Sequence, residues 1–561
     1  MSINGNPVTR ILNLVKLEQE EITSVYFYAI LKGLIQLSLP LGVQTIIGFV
    51  LGASMRASLA VLITLVVAGV LAAGLMKVNQ MKIIEKIQQK IFVRYSFAFA
   101  EHIPKLDLKK ADSYYLPELV NRFFDIPILQ KSLSKILLDI PAASIQILFG
   151  LMLLSFYHPA FILFGFILVI LLWLILRYTG NRGLQTSIEE SNYKYKVAAW
   201  LEEMARVVKS MKLARSTGLH LQKADEQVTG YLDARNRHFR ILLLQYNVLV
   251  IFKTLITGAM LIVGTMLLVN QQLNIGQFIA SEIIILLVLN SVEKLIMTLG
   301  SVYDTLTSVE KISNLTDKPV EENGNIELTE NSKGISLEMR NLQFSYDEET
   351  DILRDISLQV NAGEKVCIQG NDSSGKSTLL RVMAGAYQGF KGSFLLDGLP
   401  VGNYNLSSLR SQTGVLLNQQ DIFYGSLRDN ILLGNTSISM ETVIEYAAKT
   451  GLNDFINTLK YGYDTILDPT GKRLPQNVKH KILLVRALAG SPRLLLLEEP
   501  WMNFEKDHRR QLMQLLLKLK NTTLVVVTNE EEFAGFCDKR ITIEKGTAIV
   551  SPVKQNNHDQ Q

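Results

Sequence analysis

Six apolar stretches dominate the first 300 residues, and a different rhythm follows them. Val25–Leu51, Ser58–Val78, Leu137–Tyr157, Ala160–Tyr178, Tyr246–Val269 and Gly276–Leu299 are each long enough to cross a bilayer as a helix, which takes about 20 apolar residues. Helices buried in a soluble core are rarely apolar all round over such a length, so membrane spans are the expectation. Further on, short β-type runs (Glu338–Tyr346, Ile356–Val360, Ser393–Leu396, Val415–Leu417, Leu494–Leu497, Thr523–Val527, Ile541–Val550) alternate with helical ones (Ser377–Met383, Glu441–Leu459, Lys479–Leu488, Asp507–Leu519). That alternation predicts an α/β domain large enough for its own core. Between the two regions Asn314–Gly334 is polar, acidic and rich in Asn and Gly, the composition of a linker. The expected organisation is a transmembrane domain over 1–313, a linker over 314–334, a second domain over 335–551 and a flexible tail over 552–561.

The connectors set an orientation. Leu51–Ala57, Tyr157–Pro159 and Asn270–Ile275 are short and nearly free of Lys and Arg, whereas Asn79–Lys135 and Asn181–Arg240 are long and basic. The positive-inside rule therefore predicts that both long connectors and both termini face the cytosol. Lys82, Lys86 and Lys90 recur every four residues, so the membrane helices are expected to continue as cytosolic rods. Ala111–Asp125 and Leu201–Arg215 at the ends of these rods would be the contact points for the C-terminal domain. Lys32, Asp139, Lys253, Glu293 and Lys294 lie within about two turns of a cytosolic end, where long side chains can snorkel. Glu282 lies in the outer half of the sixth span and should face a polar cavity or a partner, as part of a substrate pathway or as a structural group.

Composition adds limits rather than detail. The 561 residues are 48% hydrophobic and 19% charged, more apolar than a soluble chain needs, and a net charge of +5 gives no argument for nucleic acid. Two cysteines, Cys367 and Cys537, exclude a disulfide framework and fit a reducing compartment. Met1–Glu21 has no short apolar run ending in a small-residue cleavage site, so no cleavable signal is expected.

The chemistry centres on Gln369–Thr378, QGNDSSGKST, in which Gly370, Gly375, Lys376 and Ser377 fill G-x-x-x-x-G-K-[ST]. Glu364–Ile368 before it alternates like a strand and Ser377–Ala384 after it has helical character, so the glycines fall at a strand-to-helix turn. There backbone N–H groups and the helix N-terminus can face polyphosphate oxygens, Lys376 can reach the terminal phosphates, and the Ser377 hydroxyl can hold Mg²⁺. Gly370, Asn371, Asp372, Ser373, Ser374, Gly375, Lys376, Ser377 and Thr378 are thus the candidate phosphate-binding residues, with ATP and Mg²⁺ as the expected ligands.

With these motifs in place the chain resembles one half of an ATP-binding cassette exporter of the type I fold: a polytopic α-helical membrane domain of six transmembrane helices, then a cytosolic α/β P-loop nucleotide-binding domain. The likeness implies that Tyr346 stacks on adenine, that Arg428–Ile431 is the stretch after the Q-loop, and that Glu499, closing LLLLEE, is the general base. The toxin- and peptide-exporting branch, which works with a membrane-fusion adaptor, is the most similar. That branch often carries an N-terminal cysteine peptidase, for which the chain offers no room, so leader cleavage is not implied. A homodimer, or a heterodimer with another half-transporter, in the bacterial inner membrane is what the resemblance implies.

Several positions depart from the family pattern. The Q-loop glutamine position holds Asn418, with Gln419 and Gln420 adjacent; the second acidic position before the general base is Glu498; the D-loop Asp is Glu505; and Asn529 stands at the switch histidine. By the resemblance Ser377, Asn418 and Glu498 would hold Mg²⁺ through ATP. The family's L-S-G-G-Q signature aligns with Leu474, Pro475, Gln476, Asn477 and Val478, and Pro469 stands where a Glu would engage the membrane-domain helices. Pro475 has no N–H to donate, and side chains at Gln476 and Asn477 obstruct an approach that glycine permits. Proline suits a helix start, so the signature helix is expected to survive while its phosphate contact does not.

Loss of one transition-state donor commonly costs about 10²–10³ in rate, so weak or absent hydrolysis is the expectation. Three readings follow: an exporter subunit paired with a better-equipped partner, a homodimeric exporter of low turnover, or a non-transporting pseudo-ATPase that regulates or scaffolds a secretion assembly. The cargo of an exporter would be a peptide, a protein or an amphipathic molecule.

Overall fold

The computed structural model describes residues 7–51, 56–112, 114–213, 218–329, 333–347, 350–418, 420–502 and 504–552. They divide into two compact units, one formed by the residues up to Pro104 with Tyr115–Lys318, the other by Lys105–Tyr114 with Pro319 onwards.

The first unit is all helix. Among the described residues six helices are long and apolar enough to cross a membrane: Gln19–Leu51, Ala57–Lys105, Leu116–Tyr157, Ala160–Arg206, Leu219–Val269 and Ile275–Thr316. Arg56–His102 and Ala160–Arg206 each run 47 residues, which at 1.5 Å per residue is about 70 Å, more than twice a hydrocarbon core. They therefore continue well beyond the bilayer. The first span is not one straight helix: Gln19–Gln36 stops and Ser38–Leu51 restarts beyond Leu37. Pro40 explains the break, because its ring would meet the carbonyl of Gln36 in a continuous helix.

Small residues let these helices approach closely. A Cβ on Gly150 would come within 2.5 Å of Val288, and one on Gly33 within 2.5 Å of Ile145, so the third helix packs tightly on both the sixth and the first. Along the rods the packing becomes polar and specific. Gln245 Nε2 donates to Thr179 Oγ1 at 2.7 Å and to Tyr303 Oη at 3.0 Å, and Ser187 pairs with Thr307 at 2.9 Å, satisfying buried groups that would otherwise be costly.

The second unit holds a six-stranded sheet in the order Thr547–Pro552, Lys539–Glu544, Lys365–Gln369, Thr523–Val527, Leu494–Glu498, Thr413–Leu416, parallel except for the antiparallel edge hairpin. Lys365–Gln369, Leu494–Glu498 and Thr523–Val527 are buried at every position, as strands covered on both faces must be. An antiparallel sheet of Asp351–Val360, Leu337–Ser345, Lys391–Leu396 and Leu399–Pro400 completes the unit.

Two segments predicted to be connectors are tied into this second unit. Asn314–Thr316 still belongs to the sixth spanning helix, but from Pro319 the chain lies along the domain: Ile326 bridges to Tyr404, and Arg410 grips Glu321 with both guanidinium nitrogens at 2.7 and 2.6 Å. Lys105–Tyr114, from the first basic connector, joins it through Asp107 N–H to Pro319 O at 3.1 Å and Glu321 N–H to Lys105 O at 2.8 Å. The second contact segment, Leu201–Arg215, contains the short helix Val208–Leu213, and its last residues lie outside the described ones. The helical run Glu441–Leu459 is corrected to Met440–Lys449 and Asn453–Ile456, split at Gly451, whose φ of +68° no helix accommodates.

Candidate nucleotide-binding site

The carboxyl ends of the parallel strands converge on one edge, the place where open α/β sheets bind ligands. Lys365–Gln369 runs into the glycine-rich turn, Leu494–Glu498 ends in the two acids, and Asn529 follows Thr523–Val527.

The turn needs its glycines. Gly370 has φ +147° and a Cβ there would lie 2.3 Å from Ile543 O; Gly375 has φ +105° and a Cβ would meet Leu353 at 2.9 Å. Ser373 also has positive φ, at +61°. The result is a cradle of backbone open to solvent at Asn371, Asp372 and Ser373. Lys376 Nζ lies across it and donates to Gly370 O at 2.6 Å and Asn371 O at 2.7 Å. The Ser374 hydroxyl is buried with no hydrogen-bond partner among the described residues. An orphaned donor and a cradle that a Cβ would fill both fit a phosphate chain.

Glu498, 5% exposed, is held from two sides: Oε1 accepts the Ser377 hydroxyl at 2.5 Å and Oε2 the Asn418 backbone N–H at 2.9 Å. Asn418 meets this carboxylate through its backbone, its side chain being exposed. Gln420 turns back on its own loop, its Nε2 donating to Val415 O at 3.2 Å, and Gln419 lies outside the described residues. A hydroxyl and a carboxylate in contact, both oxygen donors, fit the chemistry of Mg²⁺.

Glu499 adopts φ +44°, and its N–H donates to Val527 O at 2.9 Å. This conformation is uncommon outside glycine and swings the side chain away from the strand. Oε2 accepts the Thr528 hydroxyl at 3.0 Å, and Thr528 in turn takes the Trp501 indole N–H at 3.2 Å. Burial pushes the Glu499 carboxyl up from its ordinary value, with the Thr528 hydrogen bond and nearby Lys376 pulling the other way. Asn529 Oδ1 accepts the Gly370 N–H at 3.2 Å.

In the first turn of the phosphate-loop helix, Lys376–Met383, the Tyr346 hydroxyl pairs with Thr378 Oγ1 at 3.1 Å. The Tyr346 ring meets Phe344 and Tyr387 edge-on, with centroids 5.3 and 5.4 Å apart. Arg381 Nη1 reaches the hydroxyls of Tyr346 and Tyr387, and Tyr387 donates to Asp112 Oδ2 at 2.6 Å. Thr528, Arg381, Tyr387 and Asp112 were not singled out in the sequence. Thr528 carried a signal in its place beside Asn529, and Asp112 in lying within Ala111–Asp125, the segment expected to meet the C-terminal domain.

The segment aligned with the signature keeps its helix. Pro475 is the N-cap of Gln476–Ala489, with φ −56° and ψ 144°, and its own side chain makes no capping hydrogen bond. Gln476 and Asn477 are exposed there, and Asn477 turns its Oδ1 onto the Val478 N–H at 2.9 Å. Leu474 and Val478 face inward onto the apolar cluster beneath the helix. Arg428 pairs with Asp464 at 3.1 Å, and Glu505 is exposed before the helix Lys506–Leu517.

This architecture has relatives. A Bacillus subtilis protein named for multidrug export, YgaD, is 25% identical over 481 residues, 83% of this chain and 80% of its own. The alpha-hemolysin translocation ATP-binding protein HlyB of Escherichia coli O157:H7 is 28% identical over 62% of this chain. The chain spans half or less of the length of most curated relatives it matches, 49% in the case of HlyB. The structure of a bacterial Atm1-family ABC exporter with ATP bound superposes with a TM-score of 0.84 at 18% identity, covering 96% of this chain and 95% of its own, a likeness of fold. The profile of the ABC transporter transmembrane region matches residues 23–292 and that of the ABC transporter domain 353–502, so the chain belongs to the ABC transporters and is homologous to their exporters, those of toxins included.

Proposed function

We propose that this chain is an ATP-binding exporter subunit that moves a peptide, protein or amphipathic molecule out across the bacterial inner membrane and turns ATP over slowly. The contact of Ser377 Oγ with Glu498 carries the ATP-binding half of this reading. Ser377 and Glu498 would hold Mg²⁺, with Asn418 beside them, and the ion when bound neutralises phosphate charge. Lys376 would exchange its two backbone carbonyls for phosphate oxygens, the Ser374 hydroxyl would gain a partner, and Tyr346 would turn a ring face to adenine. Glu499 would take the proton of the attacking water.

Slow turnover follows from Pro475 and Asn529. An N-cap without an N–H, crowded by Gln476 and Asn477, presents a poor clamp to phosphate held by a second subunit, whether a copy of this chain or another half-transporter. The same feature favours a second reading, a pseudo-ATPase that scaffolds a secretion assembly. Likeness to a haemolysin translocator supports a peptide or protein cargo.

The test is ATPase rate of the purified chain in lipid, beside Lys376→Ala and beside a chain with Ser-Gly-Gly-Gln rebuilt at 475–478 and Asn529→His. Low wild-type turnover, none in Lys376→Ala and a marked gain in the rebuilt chain are expected. Wild-type hydrolysis on the order of ten per second or more would overturn the slow-turnover half. Movement of cargo into inverted vesicles separates the exporter from the scaffold.

A further inference from the structure

The half-buried ring of Tyr346 is held by its hydroxyl. Thr378 and Arg381 stand three residues apart on Lys376–Met383 and so share a face of that helix. Both reach the Tyr346 hydroxyl, Thr378 Oγ1 at 3.1 Å and Arg381 Nη1 at 3.4 Å. The same Nη1 donates to Tyr387 Oη at 3.2 Å, and Tyr387 donates to Asp112 Oδ2 at 2.6 Å. A guanidinium has no acceptor and an ionised carboxylate no donor, so this chain of hydrogen bonds has one direction: from Arg381 to both phenols, and from Tyr387 to Asp112.

The far end of the chain is held still by packing. Tyr387 is buried and stacks on Phe344, also buried, with centroids 5.4 Å apart and 19° between the ring planes. Asp112 belongs to Lys105–Tyr114, and from the same segment Lys109 sets its ammonium 5.1 Å from the centroid of the Phe344 ring. Arg381 thus ties a half-buried ring to a fixed pair of buried ones.

A phenol ring that receives a base has two soft torsions, and binding must freeze them unless the protein has already done so. Stacking itself sets no position for the ring, whereas a guanidinium shared between two hydroxyls does. Rotation of Tyr346 about its own long axis leaves Oη in place, so the ring can present a face to a base without giving up either hydrogen bond.

We propose that Arg381 and Tyr387 are positioning residues for the base of the bound nucleotide, fixing the Tyr346 hydroxyl and with it the ring on which adenine stacks, with Asp112 as the outer anchor. This role rests on the reading of the domain as one that binds ATP with Tyr346 against adenine.

The purified full chain in detergent is titrated with a Mg²⁺–ATP analogue and with Mg²⁺–tripolyphosphate, which keeps the phosphates and lacks base and sugar. Tyr346→Phe and Tyr387→Phe each remove one oxygen and keep the ring, and Arg381→Met keeps most of the apolar stem. Each should lower affinity for the ATP analogue by about three- to tenfold, the worth of one side chain immobilised in advance, and leave tripolyphosphate binding unchanged. Asp112→Ala should act in the same direction and more weakly. Arg381→Met added to Tyr346→Phe should cost little more, because the contact through which Arg381 acts is already gone. Losses that multiply in the double variant overturn the proposal, as does an equal loss of both ligands in Arg381→Met. Tyr346→Ala separates the two levels of the reading. If it weakens the ATP analogue while Arg381→Met and Tyr387→Phe do not, the proposal falls and the stacking assignment stands. If it leaves the ratio of the two affinities unchanged, the base stacks elsewhere and both fall, while saturable binding of the ATP analogue still upholds the nucleotide site.

Discussion

Asn529 gives its side-chain carbonyl to the backbone N–H of Gly370 at 3.2 Å, tying the residue at the switch position to the first glycine of the phosphate loop. An amide committed through its oxygen has only its NH₂ left for a phosphate, which makes it a neutral donor. It lacks the charge an imidazolium would add.

Asn529→Asp tests that orientation. The substitution keeps the acceptor toward Gly370 and replaces the donor by a second carboxylate oxygen facing phosphate. Affinity for Mg²⁺–ATP should fall by about tenfold or more while ADP loses less, since one charged contact is worth about 1.5–3 kcal/mol. Equal losses for the two nucleotides in a fluorescence titration would count against it.

Lys376 spans Gly370 O and Asn371 O, so its ammonium lies across the cradle where phosphate oxygens would sit. Lys376→Ala should lower affinity for a Mg²⁺–ATP analogue sharply, by roughly tenfold or more. Equal binding by both forms would sink the assignment of this loop.

His480 makes the signature helix acid-sensitive. It is 9% exposed, its Nε2 hydrogen-bonds the Pro500 carbonyl at 3.0 Å, and burial pushes its pKa below the ordinary 6.5. The unfolded chain takes up a proton near pH 6.5, the folded domain only at lower pH, so stability present above that value drains away as pH falls below it. Thermal midpoints between pH 7.5 and 5.5 should fall less in His480→Gln than in the wild type. An identical fall in both would show that other groups carry the effect.

The Lys/Arg asymmetry predicts that both termini and both long connectors are cytosolic. A cysteine at Gln272, in the exposed turn before the sixth spanning helix, should react with an impermeant thiol reagent in intact cells, and one at Lys109 only after lysis. Protection at Gln272 with labelling at Lys109 would invert the topology.

The spans were legible because lipid demands unbroken apolar sequence, and the phosphate loop because Gly370 and Gly375 occupy backbone conformations that other residues resist. Pro40 and Gly451 were in plain sight as breakers, yet the continuity of the flanking apolar runs outweighed them in reading the first span and Glu441–Leu459. Ala111–Asp125 was expected to meet the C-terminal domain, but that Asp112 finds Tyr387 there was beyond any local pattern: 275 residues separate them, and neither side chain is unusual in its own neighbourhood. Thr528 was hidden for a different reason. Its hydroxyl matters only because the φ of +44° at Glu499 brings the carboxylate back to it, and no periodicity encodes that turn.

Glu499 yields the sharpest prediction. General-base work contributes about 10²–10⁴-fold only when water and γ-phosphate are held in line. The carboxylate is oriented by Thr528, but the opposing clamp would come from a helix capped by Pro475, and Asn529 offers a neutral donor. Glu499→Gln should therefore change the slow hydrolysis of the wild-type chain little. With Ser-Gly-Gly-Gln at 475–478 and Asn529→His the rate should rise by about 10²-fold, and Glu499→Gln should then abolish it. In that rebuilt chain burial adds a pH signature: because the Glu499 carboxyl is held above its ordinary value of 4.5, activity should fade on acidification at a higher pH than an exposed carboxylate would dictate. A wild-type chain that loses all turnover on Glu499→Gln would show that Pro475 and Asn529 leave the phosphate adequately held.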